Sequence, residues 1–279
     1  MNGWRFTLSR RWLGYLGLVV IFAMACAALS VWQFDRRAET RVEIDRVERN
    51  WDAPPRPLTD VLDDLQSFND QLKWASVSMS GRYLPEQALL VRGRPRDTRA
   101  GFEQLVPLRL DDGSVFVIDR GWLPAGNAQD APDVIPPIPA GSVEVIARLK
   151  PGEPVLPGRS APAGQIATVN LATIAAGIGA ATYTGAYGLL TSETPNAVRP
   201  AAVQKPVADE GPHLSYAFQW IAFGVLGFIG LAWAVRQEYR IRNASDPAER
   251  DRAARRKIRQ LRRPRGDSEI EDAVLDRSH

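Results

Sequence analysis

Two long apolar stretches flank the middle of this chain. Residues 12–34 and 214–235 contain no charged side chain, and a helix needs about 20 apolar residues to cross the hydrocarbon core of a bilayer. The pattern predicts two transmembrane helices, at 12–34 and 213–235. A cleaved signal peptide is the alternative for the first stretch. Its 23 uncharged residues exceed the ~7–15 of a signal-peptide core, which favours a retained span.

The charges beside both stretches predict their orientation. Three arginines and no acid precede the first, and residues 236–265 after the second hold twelve Lys/Arg against four Asp/Glu. Positive charge near a span stays cytoplasmic. We therefore expect a cytoplasmic N-terminus (1–11), an extracytoplasmic domain (35–212) and a cytoplasmic tail (236–279) that is basic, then acidic, and disordered or partly helical. The first span begins too early for a transit peptide to precede it, which favours a bacterial plasma membrane.

Between the spans, the polar pattern changes from helical to alternating. Residues 35–45 are dense in both charges and extend the first helix, and a short helix is predicted over 59–65. Alternating or short apolar runs predict strands at 74–80, 88–91, 102–110, 114–123, 142–150, 166–169 and 181–191. Asp111-Asp112-Gly113 predicts a hairpin turn, and Asn170 caps a helix through residue 176. The prediction is one β-rich (α+β) domain, an open barrel or a sandwich.

Composition excludes several kinds of chemistry. The single cysteine, Cys26, rules out an intrachain disulfide, and two histidines in all rule out a multi-histidine metal site. No Gly-x-Ser-x-Gly or phosphate-binding glycine loop occurs. We predict that the protein is not an enzyme. For the basic tail, contact with anionic membrane lipid is favoured over nucleic-acid binding.

His213 is the residue most suited to bind a cofactor. Tyr216 and Trp220 follow it at i+3 and i+7 and share its helix face, and one histidine suffices to ligate haem iron. Trp32, Arg36 and Arg37 leave the first span on the same side of the membrane, where arginines would pair with haem propionates. These residue types also anchor helices at membrane interfaces, and spacing alone favours that simpler interpretation.

Four motifs spread over residues 12–240 resemble one known family. The chain resembles the Surfeit locus protein 1 family of cytochrome c oxidase assembly factors in these segments: Trp32-Gln33-Phe34-Asp35-Arg36-Arg37; Gly101-Phe102-Glu103 with Pro107 to Gly113; Asp119-Arg120-Gly121-Trp122-Leu123-Pro124; and His213-Leu214-Ser215-Tyr216 with Trp220. It departs from the family pattern at Asp119, where asparagine is usual, and at Gly211-Pro212, where Asn-Asp commonly precedes the histidine.

The resemblance implies a membrane-bound factor that assists insertion of a-type haem into the oxidase catalytic subunit, or stabilises that subunit. His213 becomes a candidate axial ligand of the haem iron. The catalytic subunit and haem a synthase become candidate partners. Arg120, Gly121, Trp122 and Pro124 form either a structural strand end or a partner surface. Two alternatives remain open: a scaffold that never binds haem, and an extracytoplasmic sensor or solute-binding domain.

Overall fold

The computed structural model describes residues 4–128, 130–245 and 247–261. The chain divides into two compact units, one made of Met1–Ala38 with Gly211–His279 and the other of Glu39–Glu210. The described α-helices are α1 (Arg10–Trp51), α2 (Leu171–Ile178), α3 (His213–Arg242) and α4 (Pro247–Leu261). A 3₁₀ helix, Trp4–Leu8, precedes α1.

Helices α1 and α3 contain the two apolar stretches. Their most apolar windows have mean hydropathies of 2.2 and 1.8, so both are candidate membrane spans by length and composition. A Cβ atom added at Gly224 would lie 3.6 Å from Cys26 Cβ, and one at Gly227 would lie 3.4 Å from Phe22 Cδ1. Glycine therefore allows these two helices to approach closely, as small residues do between membrane helices.

Eight strands form the other unit: β1 (Arg56–Pro57), β2 (Ser76–Tyr83), β3 (Leu89–Arg92), β4 (Gly101–Leu110), β5 (Val115–Pro124), β6 (Ser142–Pro151), β7 (Gln165–Ile166) and β8 (Ala186–Thr194). Their order is β1-β2-β6-β8-β5-β4-β3-β7, and an additional β2–β4 pairing closes a barrel of five strands. The predicted β-rich domain is thus confirmed, but the barrel is closed rather than open. Closure leaves these five strands without a free edge.

Alternation along the strands creates two buried layers. Phe116 and Ile118 of β5 belong to the larger cluster, which also includes Val106, Leu108 and Ala147. Val117, one residue out of phase, belongs to a second cluster with Trp51 of α1, Trp74, Leu171 and Ile174 of α2, and Tyr187. Because successive side chains in a strand point to opposite faces, one cluster fills the barrel and the other lies between the barrel wall and α2.

Several element boundaries differ from the sequence predictions. The helix expected over 59–65 is a single 3₁₀ turn, Leu58–Asp60. Strand β2 begins at Ser76 because Trp74 has a φ of 72°, which extended backbone does not allow. Strand β8 begins at Ala186 and not at 181, because the amides of Thr184 and Gly185 donate to the Leu65 carbonyl and not to a neighbouring strand.

Other elements agree with the sequence predictions. The β4–β5 hairpin turns at residues 111–113, and Asn170 caps α2 by accepting a hydrogen bond from the Thr173 amide at 2.9 Å. Helix α3 continues past 235 to Arg242, and α4 makes the first part of the tail helical. The acidic end of the tail, 267–276, lies outside the described residues.

Candidate functional site

The candidate site begins where α3 starts. His213 is the first residue of α3, and Pro212, its N-cap, makes no side-chain capping hydrogen bond. Gly211 has a φ of 66°, and a Cβ atom at this position would lie 3.5 Å from both Cδ2 and Nε2 of His213. Glycine accepts this left-handed conformation readily. It also leaves the Nε2 edge of the ring clear of a neighbouring side chain.

Gln33 of α1 holds the imidazole from the other side. Its Oε1 lies 2.8 Å from His213 Nδ1. An amide oxygen can only accept, so Nδ1 is the donor in this contact, and in the neutral ring Nε2 keeps the lone pair that binds metals. Metal-bound histidines typically donate their second ring N–H to such an acceptor, which fixes the tautomer and the ring orientation.

The hydrogen bond between Gln33 and His213 joins α1 and α3 at a position where Gln33 is buried. Gln33 is 9% exposed, and Ser30 and Ala217 beside it are buried. Phe34 meets Phe218 edge-to-face with ring centroids 6.1 Å apart. A buried amide without a hydrogen-bond partner is costly in apolar surroundings, so His213 and Gln33 stabilise each other.

The other predicted site residues lie around this pair with different exposure. Trp220 is half-buried and packs against Phe223. Tyr216 and Trp32 are 47% and 53% exposed. Arg36, exposed, and Arg37, half-buried, follow Gln33 at i+3 and i+4, so they share its helix face.

Gln33 was not among the predicted site residues. The signal for it was present, because it is the single amide side chain in the uncharged stretch 12–34. Polar side chains within spans usually face a partner helix or a cavity. The sequence did not identify the partner of Gln33, because His213 lies 180 positions further along the chain.

The Asp119–Pro124 motif lies in β5 and its arginine is inside the barrel. Arg120 and Glu193 are both 0% exposed, and Arg120 Nη2 lies 2.8 Å from Glu193 Oε1. Tyr83 donates to Glu193 Oε2 at 2.9 Å, and Arg120 also donates to Gln104 Oε1 at 3.2 Å. A buried ion pair needs such additional hydrogen bonds to offset desolvation. Arg120 therefore connects three strands and presents no charge at the surface.

The next residues fix the end of β5. Gly121 has a φ of 130°, and a Cβ atom there would lie 2.6 Å from the Ala201 carbonyl oxygen. Trp122 donates its indole N–H to the Arg94 carbonyl at 2.7 Å, with Arg96 5.8 Å above the ring. Pro124 is exposed and pairs in register with Gly101. These contacts give the motif a structural role at the barrel wall.

Asp119 of β5 is buried on the face opposite Arg120, near the half-buried Glu103 of β4. Asp119 is 0% exposed, and one of its oxygens accepts the Gly121 amide at 2.9 Å. Burial, and then the nearby Glu103 charge, raise the pKa of Asp119 to about 8. Burial also raises the pKa of Glu103, against the opposing effect of Arg94, whose Nε lies 3.0 Å away. Asp119 is therefore held protonated at neutral pH, where it resembles an asparagine.

Within the described residues, no group of three or more His, Cys, Asp or Glu side chains could hold a metal ion. His213 is the one histidine among the described residues, and its Nε2 is a potential metal ligand.

Comparison with known proteins identifies the relatives of this arrangement. The SURF1 family model matches residues 20–225, a range that includes Gln33, the barrel and His213. The chain belongs to the SURF1 family. An uncharacterized SURF1-like protein of Mycobacterium tuberculosis is 33% identical over 242 residues, which cover 85% of this chain and 88% of the relative.

Two further relatives support this assignment. The corresponding SURF1-like protein of Mycobacterium bovis has the same identity and coverage. A SURF1-like protein of Rickettsia bellii is 24% identical over 111 residues, 39% of this chain and 43% of its own. The SURF1 family consists of assembly factors linked to cytochrome c oxidase, and the two candidate spans are consistent with a membrane protein.

Proposed function

We propose that this protein is a non-enzymatic assembly factor that holds a-type haem and assists its insertion into the catalytic subunit of cytochrome c oxidase. The observation that carries the proposal is the hydrogen bond between Gln33 and His213. It leaves the Nε2 lone pair of His213 available, and this nitrogen would hold the haem iron. Haem, when bound, supplies the iron; the chain supplies the nitrogen and its orientation.

The surrounding residues are chemically suited to a haem. Trp220 gives an aromatic surface two turns after His213 on the same face of α3. Tyr216, three residues after His213, and Trp32, next to Gln33, add partly exposed aromatic rings. Arg36 and Arg37, one turn beyond Gln33, supply cations for the propionates. A flat apolar ring with two carboxylates matches this combination.

The proposed setting is a bacterial plasma membrane, with α1 and α3 as spans and both termini in the cytoplasm. Arg10, Arg11, Arg240 and Arg242 cluster at the ends of the helices remote from His213, as the positive-inside rule requires. His213 then lies at the outer surface of the membrane. The catalytic subunit of the oxidase and haem a synthase are the proposed partners at this surface.

The test is to purify the full chain from cells that make haem a and to measure haem by its visible spectrum. Wild type is expected to retain haem a, and His213→Ala to lose it. Ser215→Ala is the matched control, because Ser215 is exposed in the same helical turn and its hydroxyl bonds only the local Pro212 carbonyl. Equal haem in all three proteins would contradict the ligand assignment.

A scaffold that assembles the oxidase without binding haem is the second candidate. The buried Arg120–Glu193 pair supports it, because the central charge of the Asp119–Pro124 motif is neutralised inside the barrel. Under this alternative, oxidase activity in cells lacking the wild-type gene would be restored by His213→Ala. Arg120 variants do not discriminate the two candidates, since losing Arg120 destabilises the barrel itself.

A further inference from the structure

Helices α1 and α3 separate beyond Gly227. Cβ atoms at Gly224 and Gly227 would contact α1, whereas one at Gly230 would have no heavy atom within 4 Å. The two helices therefore touch at Gly227 and are apart one turn later. A groove of about 430 Å³ opens between them from that point.

The groove is apolar at one end and polar at the other. Its closed end is lined by aliphatic residues and glycine, its middle by aromatic rings, and its open end by polar groups together with Ile241: Leu18, Val19, Gly230, Leu231 and Ala234; Trp12, Tyr15 and Trp233; Arg11, Gln237 and Glu238. This gradient follows the helix axes over about three turns. It matches the change from acyl chain to headgroup across one leaflet of a bilayer.

The polar end carries excess positive charge. Arg11 is 57% exposed and lies 3.9 Å from Glu238. Glu238 also accepts a hydrogen bond from Arg242 at 2.8 Å, so two arginines share one carboxylate. This end is complementary to an anion.

Trp12 lies beside Arg11 in the wall of the groove. It is 5% exposed, and its buried indole N–H has no acceptor among the described residues. Tryptophans at membrane interfaces lie at the depth of the lipid headgroups, which agrees with a headgroup at Arg11.

We propose that this groove binds one anionic glycerophospholipid of the cytoplasmic leaflet, with its phosphate at Arg11 and an acyl chain against Gly230. A transmembrane helix fits the groove less well, because the Gly227–Phe22 contact closes it midway along α3. Seventeen residues of helix, about 26 Å, separate Gly230 from His213. The inference rests on the membrane orientation proposed above but not on haem binding.

The test is native mass spectrometry of the full chain in detergent, titrated with phosphatidylglycerol or with phosphatidylcholine of identical acyl chains. Gly230→Phe should fill the groove, since its Cβ has open space. Gly17→Phe is the matched control, because Gly17 also has open space and does not line the groove. Arg10→Gln is the matched control for Arg11→Gln, because Arg10 precedes Arg11 in α1 and does not line the groove.

Wild type and both controls should retain one phosphatidylglycerol in preference to phosphatidylcholine. Gly230→Phe should weaken binding of both lipids, and Arg11→Gln should weaken phosphatidylglycerol roughly tenfold while sparing phosphatidylcholine. Equal retention by all variants, or no headgroup preference in wild type, would overturn the proposal. Loss of oxidase-subunit co-purification in Gly230→Phe with lipid retention unchanged would instead assign the groove to a partner helix. Haem content of Gly230→Phe stays at the wild-type level if the two sites are separate.

Discussion

Asp119→Asn should stabilise the barrel at neutral pH and leave it unchanged in acid. In the folded protein, burial and Glu103 raise the Asp119 pKa to about 8, from an ordinary value of 3.8. Between these pH values the folded state holds a proton that the unfolded chain has released. The free energy of unfolding therefore falls as pH rises from about 4 to about 8.

The size of the effect follows from this window. Each pH unit changes the free energy of unfolding by about 1.4 kcal/mol per proton. From pH 3.8 to pH 7 the wild-type protein loses about 4 kcal/mol through Asp119 alone. Asparagine carries no such penalty and keeps the oxygen that accepts the Gly121 amide. The variant should thus be more stable by an amount of this order at pH 7, and equal to wild type near pH 4.

The assay is urea unfolding of the full chain in detergent at pH 4 to 8, followed by tryptophan fluorescence. Asp112→Asn is a control of opposite sign. Hydrogen bonds from the Ser114 hydroxyl and amide lower the Asp112 pKa, so that variant should lose stability above pH 4. An Asp119→Asn advantage that is absent at pH 7, or that is the same at pH 4 and pH 7, would refute the reasoning.

Two further predictions concern the same strand. Arg120→Met leaves the Glu193 carboxylate buried without its counter-charge, and should cost about 3–5 kcal/mol in urea unfolding; a midpoint equal to wild type would contradict the buried pair. Gly121→Ala should lower the melting temperature well below that of Gly113→Ala, because both glycines have positive φ but only Gly121 lies against the Ala201 carbonyl. Equal melting temperatures for these two variants would contradict the close approach.

Local sequence patterns correctly predicted the elements whose conformation depends on residues close together in the chain. Asp111-Asp112-Gly113 predicted the hairpin, and Asn170 predicted the start of α2, because turn and cap chemistry act within a few residues. The uncharged stretches likewise predicted the two long helices. Period-two alternation predicted a strand at 142–150, and β6 spans Ser142–Pro151.

The sequence did not predict contacts between residues that are far apart in the chain. Asp119 and Arg120 interrupt an apolar strand and resemble a strand end, yet both are buried. Arg120 is paired with Glu193, 73 residues later, and burial together with Glu103 of β4 raises the pKa of Asp119. The closure of the barrel is set by the β2–β4 pairing, which neither strand reveals alone. Gln33 was missed for the same reason.

Titration of the purified apoprotein with haem a tests the central claim, that Gln33 orients His213 as the haem ligand. His213→Ala should abolish the ligand-specific absorption change. Gln33→Leu should weaken binding by roughly 10–100-fold, as loss of a ligand-orienting partner typically does. Gln219→Leu, which removes an exposed amide from α3, should bind as wild type does. Identical affinities for wild type, Gln33→Leu and His213→Ala would contradict the account.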